Sequence, residues 1–168
     1  AVDAEGWVVS ITPSGGWIPA YISGNTGIGL SQRMQSFVLD EAMNPFNVVQ
    51  PGQRPRATLT PSIALKDGKP LMAFSVQGGD TQDQNLLQFF LNVVEFGMNV
   101  QQAAEAHNIT SYQMQSSFGA HVSEPGRIDI TEKTDDGISE VLEAMGYQVE
   151  TVERTYSPIT AVYIDQET

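Results

Sequence analysis

Residues Gln50–Asp80 read QPGQRPRATLTPSIALKDGKPLMAFSVQGGD, and the reading of this stretch decides the fold. Ser62–Lys66 and Leu71–Val76 are apolar-rich and meet at Asp67-Gly68, a dipeptide that accepts the left-handed backbone of a tight hairpin turn. Ile63 and Leu65 share one face of the first strand. On the second, Leu71, Ala73 and Ser75 alternate with Met72, Phe74 and Val76. Few positions on either strand are strongly polar, which predicts cover on both faces, as for inner strands of stacked sheets. The second strand runs into Gly78-Gly79-Asp80 and a long apolar helix. A strand–Gly-Gly–helix junction presents backbone N–H groups where an anion or a developing oxyanion can be held. The same pair also suits a tight turn that needs positive φ.

Composition narrows the classes of function. The chain has 168 residues, enough for one unit with a sizeable core. Twenty acidic against eight basic side chains give a net charge of −12, so neither nucleic acid nor an anionic membrane is an expected partner. There is no cysteine, hence no disulfide and no thiolate nucleophile. No run of about 18 apolar residues is present. His107 and His121 have no ligand neighbours at metal-binding spacing, and Gly24–Gly29 lacks the strand–helix frame of a dinucleotide fingerprint. Neither a metal nor a cofactor is expected. Compartment and oligomeric state stay open, a homo-oligomer included.

Outward from the glycine pair, Asp80 suits the helix N-cap, and the helix is expected to run to about Phe96 with Gly97 as its stop. Its apolar residues lie almost all round, which predicts burial on most sides. Asn99 and Gln102 have capping-box spacing for a second helix. Thr110–Gln115 and Arg127–Thr131 read as strands. Ile138, Val141, Leu142 and Met145 mark a third helix stopped by Gly146, and Tyr147–Glu153 and Ile159–Asp165 are the last strands. Towards the start, Trp7–Thr12 alternates like a strand, Trp17–Ser23 reads as an edge strand or extended loop, and Leu30–Glu41 as a short helix. Asn44–Pro55, with three prolines, reads as an ordered loop. Ala1-Val2-Asp3 looks like the end of a strand, so an upstream partner segment is expected. The pattern is α+β, with strands and helices in separate runs rather than strict alternation.

Small polar residues, glycines and arginines collect at predicted strand ends and loops: Thr12, Ser14, Arg33, Arg54, Arg56, Thr58, Gly78, Gly79 and Asp80. Arginine suits bidentate binding of carboxylates, though each of these also fits a surface or loop-fixing role.

PGQRPRATLTPSIALKDGKP, then AFSVQGGD, then GMNVQQAAEA together resemble the small subunit of the γ-glutamyltransferase (γ-glutamyltranspeptidase) family, and VDAEGWVVSITPSGGW resembles the opening of its PSGGW-bearing branch. The resemblance spans nearly the whole chain. It implies an αββα sandwich of the N-terminal-nucleophile hydrolase type, incomplete without a large subunit from the same precursor. It also implies autoprocessing that frees a threonine nucleophile, which would lie just upstream of Val2 and is absent from this chain. The family's oxyanion-hole glycines fall on Gly78 and Gly79. Its nucleophile-supporting threonine falls near Ser14, its next asparagine on Gly16, and its paired serines on Ala57 and Thr58. The aspartate that binds the substrate's α-amino group falls on Ser36, beside Arg33. Gly78, Gly79 and Ser14 are thus the implied catalytic set, and Arg33, Ser36, Thr58 and Asp80 the implied substrate-binding set. A neutral hydroxyl at Ser36 cannot replace a carboxylate facing an ammonium, and Arg33 hints at a negative group on the substrate.

Three functions follow. The chain is the C-terminal part of an enzyme that hydrolyses or transfers the acyl group of γ-glutamyl or related small-molecule amides. Alternatively it serves an acylase-like amidohydrolase with a non-glutamyl substrate, or it is a non-catalytic binding or structural module. A threonine just upstream of Val2 within a long reading frame separates the first two from the third.

Overall fold

The computed structural model describes residues 1–14, 21–132, 136–155 and 157–165. Six strands and three helices follow in order: β1 (Ser62–Lys66), β2 (Lys69–Ser75), α1 (Gln82–Val94), α2 (Val100–Glu105), β3 (Ile109–Ser111), β4 (Arg127–Thr131), α3 (Asp136–Ala144), β5 (Gln148–Val152) and β6 (Thr160–Tyr163). The strands form two three-stranded sheets, ordered β1-β2-β6 and β3-β4-β5.

The hairpin forms as its turn chemistry predicts. Asp67 and Gly68 both take positive φ, 51° and 78°, the pairing that matches the twist of the flanking strands. A register shift between Ala64 and Leu65 sets Leu65 opposite Pro70. Pro70, which has no N–H to give, lies before the stretch Met72–Ser75 that β6 pairs with on the other side. β2 is the central strand, and its consecutive residues Met72, Ala73 and Phe74 are all buried, so both of its faces are covered. β1 differs from expectation: it is an edge strand with Ile63 and Leu65 exposed.

Met72, Phe74 and Val76 of the strand region meet Leu86 and Phe89 of α1 and Ala103 of α2 in the core. Phe74 lies 5.5 Å, centroid to centroid, from Phe89 and 6.0 Å from Phe90. α1 is buried or half-buried over most of its surface, as expected. Leu86 and Phe89 point inwards, while Leu87 and Val94, together with Phe96 beyond the helix end, are exposed. A third part of its surface is polar and covers the edge of β3. Gln84 donates to Ser111 O at 3.0 Å and accepts from Ser111 N at 2.9 Å, and Gln88 does the same with Ile109 at 2.9 Å each way. Two side-chain amides thus stand in for a neighbouring strand and satisfy an edge that would otherwise be bare. α2 carries the capping box predicted for Asn99 and Gln102. β4, α3 and β5 form a parallel β–α–β unit, a departure from the expected separate runs.

The N-terminal segments depart most. Trp7–Thr12 is not a strand; Val2 and Val8 make a single bridge. The alternation is inverted: Trp7, Val9 and Ile11 are exposed, while Ser10 and Thr12 turn towards β2. Ser10 Oγ donates to Phe74 O at 2.9 Å and accepts from Ser62 N at 3.1 Å, and the Thr12 and Ser75 hydroxyls bond each other. Hydroxyl contacts, not apolar burial, decided which face turned inwards. The helix expected over Leu30–Glu41 is a single 3₁₀ turn, Arg33–Ser36, with Phe37 and Val38 buried after it and Met34 exposed. Trp17–Ala20 and the asparagine position at Gly16 lie outside the described residues. The strand expected over Thr110–Gln115 is the shorter β3.

Candidate active site

The end of β2 leads through Val76 and Gln77 into Gly78, with φ 147° and ψ 13°, and Gly79, with φ 61°. Both are conformations that side chains oppose. Space opposes them as well: a Cβ on Gly78 would lie 2.9 Å from Thr81 Oγ1, and one on Gly79 would lie 3.0 Å from Phe118 Cε2. Thr81 N and Oγ1 close the turn on Gly78 O at 3.4 and 3.1 Å. Two adjacent backbone donors at this junction, Gly78 N–H and Gly79 N–H, are without an acceptor among the described residues. Beneath the turn, fully buried Asn85 donates to Thr81 Oγ1 at 3.2 Å, and its Oδ1 has no hydrogen-bond partner among the described residues.

Asp80 does not cap α1. Gly79–Thr81 form a 3₁₀ turn, Thr81 holds the N-cap position, and the Asp80 carboxylate turns away to the 115–118 loop. Its Oδ2 accepts from Ser117 N at 2.7 Å and its Oδ1 from Ser117 Oγ at 2.6 Å. Arg56 completes the clamp, with Nη2 3.4 Å from Asp80 Oδ1 and Nη1 donating to Gln115 O at 3.1 Å. Ser117 is 1% exposed, so a carboxylate and a guanidinium fix this loop from below. The loop in turn sets Phe118 against Gly79.

Ser14, Arg33 and Thr58, far apart in sequence, come together. Arg33 donates from Nη1 to Thr58 Oγ1 and from Nη2 to Ser14 Oγ, both at 3.2 Å. Its Cζ lies 5.8 Å from the Phe118 ring centroid. Among the described residues Arg33 has no carboxylate within ion-pair distance. In a chain of net charge −12, this half-buried guanidinium is held, among the described residues, by two hydroxyls and a ring. Ser36 does not join this group. It is 0% exposed, and its hydroxyl is directed at Arg33 O, 2.9 Å away, and Arg56 O, 3.0 Å away. Asn47 Nδ2 donates to Ser36 O. Ser36 therefore ties two arginine-bearing segments together beneath the site.

Phe118 is the residue that sequence reading missed. It joins the Arg33 cluster to the glycine turn, from a loop whose sequence carries no motif. On the same side lies a cavity of about 370 Å³, bounded by Gly78, Gly79, Phe118 and residues 111–124. Its acidic side chains are paired: Asp80 as described, and Glu124 with Arg127 at 2.8 Å. Tyr112 in its wall has its phenol pKa raised, first by burial and then by hydrogen bonding to Asp129, with the Arg127 guanidinium 4.5 Å over the ring.

All of residues 1–168 match the model of the Gamma-glutamyltranspeptidase family. The chain belongs to the γ-glutamyltranspeptidase family. It is 36% identical over 104 residues to the glutathione hydrolase-like YwrD proenzyme of Bacillus subtilis, covering 61% of this chain and 19% of that protein. It spans about a fifth of the length of that protein and of the glutathione hydrolase proenzyme of Pseudomonas sp. strain A14. Among solved structures it is similar to LmbA2991HD, with 38% identity, TM-score 0.74, and 84% of this chain against 25% of that one. It is also similar to the cephalosporin acylase of Bacillus halodurans, with 25% identity, TM-score 0.71, and 85% against 25%. The γ-glutamyltranspeptidase of Pseudomonas nitroreducens matches with 22% identity and TM-score 0.78 over 100% of this chain and 89% of its counterpart. The fold is thus the N-terminal-nucleophile hydrolase type expected from the resemblance.

Proposed function

We propose that this chain is the small-subunit part of a γ-glutamyltranspeptidase-family enzyme that transfers or hydrolyses the acyl group of a small amide. The observation that carries the reading is the pair of acceptor-less N–H groups at Gly78 and Gly79. Such a pair can donate two hydrogen bonds to the oxyanion of a tetrahedral intermediate. In this reading a threonine preceding Ala1 in the precursor is the nucleophile and its own α-amino group the base. Ser14 supports that threonine, and Arg33 with Thr58 holds an anionic group of the substrate. The large subunit covers part of the apolar surface that this chain exposes at Leu39, Phe46, Leu87 and Phe96.

A second reading, an acylase acting on non-glutamyl amides, is favoured by one feature. A γ-glutamyl group carries an ammonium, and among the described residues the carboxylates bordering the cavity are both paired to arginines. Buried Ser36 offers no substitute.

The test is Gly79→Ala in the full-length protein. The added Cβ meets Phe118, and φ 61° strains it, so the N–H donor shifts. Turnover is expected to fall on the order of 100- to 1,000-fold, the effect of losing one oxyanion donor. Unchanged turnover with Ala at this position would show that the oxyanion is held elsewhere.

A further inference from the structure

We infer that the cavity beside the glycine turn is a subsite for an apolar, preferably aromatic, group carried by the amide substrate. The inference rests on the oxyanion reading of Gly78 and Gly79 and adds the chemistry of what flanks the scissile carbonyl. The polar groups around the cavity are already engaged with one another. Gln84 is paired in both directions with Ser111, Asp80 with Ser117 and Arg56, Thr81 Oγ1 with Gly78 O and Asn85, and Glu124 with Arg127. Besides the Gly78 and Gly79 N–H groups, what remains for a ligand is mainly apolar. Met114 and Val122, which line the cavity, are 71% and 59% exposed, and Phe118 forms the wall against Gly79. Side chains of this kind left in water beside two unpaired N–H donors make a site that rewards a substrate with a carbonyl at the turn and an apolar substituent in the cavity. At about 370 Å³ the space falls in the range of small-molecule pockets. The Asp80–Arg56 clamp keeps this wall in place, so the subsite and the donors share one rigid support.

The shared chemistry leaves two positions for the apolar group, on the acyl side or on the amine side, and two substrate pairs separate them. Full-length enzyme is assayed with phenylacetamide against acetamide, and with N-benzylacetamide against N-methylacetamide. In one pair the phenyl member is favoured in kcat/KM by on the order of tenfold or more, as for apolar discrimination by a pocket. Met114→Asp and Val122→Asp bring that ratio towards one, while Met145→Asp, at an exposed position beyond α3, keeps it. All three positions are exposed, so the substitutions do not open the core. Equal use of both members in both pairs, or a ratio that survives Met114→Asp and Val122→Asp, overturns the subsite even if Gly79→Ala still abolishes turnover. If no amide is turned over at all, the functional reading fails and ligand-observed NMR of phenylacetamide binding decides the subsite alone. Binding to the parent that Met114→Asp removes upholds it, and no binding overturns it.

Discussion

In residues 62–94, the hairpin, glycine turn and first helix place Met72, Phe74, Leu86 and Phe89 in a common core, and local chemistry sets each element. The described residues of 1–60 contain isolated bridges and one 3₁₀ turn, expose most of their large apolar side chains, and attach to the first region through hydroxyls and the Arg56–Asp80 ion pair. Yet this loosely built region supplies Ser14, Arg33 and Thr58, while the well-packed one supplies the backbone donors. In the proposed function, a packed frame fixes the donors and loops tied by side-chain hydrogen bonds present the groups that meet the substrate.

The sharpest break in this comparison separates both regions from the rest of the proposed precursor. The isolated chain, assayed with γ-glutamyl-p-nitroanilide and with simple acyl amides, is expected to show no turnover above background, whereas the full-length protein turns over one of these classes. Activity of the isolated chain that survives repurification would mean that these residues contain a nucleophile of their own. Within the packed region, Phe89→Ala comes next. Phe89 is 1% exposed and packs at a tilt against Phe74 of β2, so its truncation should cost about 3–5 kcal/mol in denaturant unfolding of the full-length protein. A loss below 1 kcal/mol would show that α1 is held by its glutamine contacts to β3 rather than by its apolar face.

Asp80→Asn acts at the seam between the regions. It removes the charge from the bonds to Ser117 and Arg56, each aimed at a loop that would otherwise leave Phe118 unsupported. About 1.5–3 kcal/mol of stability should go with it, the worth of a hydrogen bond to a charged group. Because Asp80 positions Phe118 on Gly79, kcat should fall more than KM rises. An equal melt temperature and unchanged kcat would break the link between clamp and turn.

Much of the fold was legible where local signals agreed with one another. Asp67-Gly68, the Asn99–Gln102 capping box and the Gly146 stop each had one physical meaning, and the structure carries it; Arg127–Thr131 is a strand as expected, but Asp129 is buried along with Ile128 and Ile130. Trp7–Thr12 misled because its alternation is real but inverted. Ser10 and Thr12 find backbone and hydroxyl partners on β1 and β2, which no periodicity in that segment can reveal. Asp80 misled for the opposite reason. Its position before a helix suits a cap, but Ser117 and Arg56, distant in sequence, compete for the carboxylate and win. Gly78, Gly79, Ser14, Arg33 and Thr58, which the structure brings close to one another, were all singled out in the sequence. Phe118 was not, because its role comes from two tertiary contacts and not from its neighbours in the chain.

The smallest expected change in stability lies in the loop region and carries the largest consequence for specificity there. Arg33→Met keeps the length of the side chain and its contact with Phe118 but removes the donors to Ser14 and Thr58. The fold should lose only about 0.5–1.5 kcal/mol, because both acceptors are hydroxyls and Ser14 is exposed to water. Recognition of an anionic substrate should lose more. A charge-assisted bond is worth about 1.5–3 kcal/mol, or roughly 10- to 150-fold in affinity. The measurement compares glutaryl-p-nitroanilide with butyryl-p-nitroanilide, which differ in a terminal carboxylate. Parent enzyme should prefer the glutaryl donor, and Arg33→Met should erase that preference mainly through KM. If the preference persists in the variant, the carboxylate is held by the large subunit, and the guanidinium serves only to join Ser14 to Thr58. If the parent prefers the butyryl donor, the site takes neutral acyl groups, and the loop region contributes no charge recognition at all.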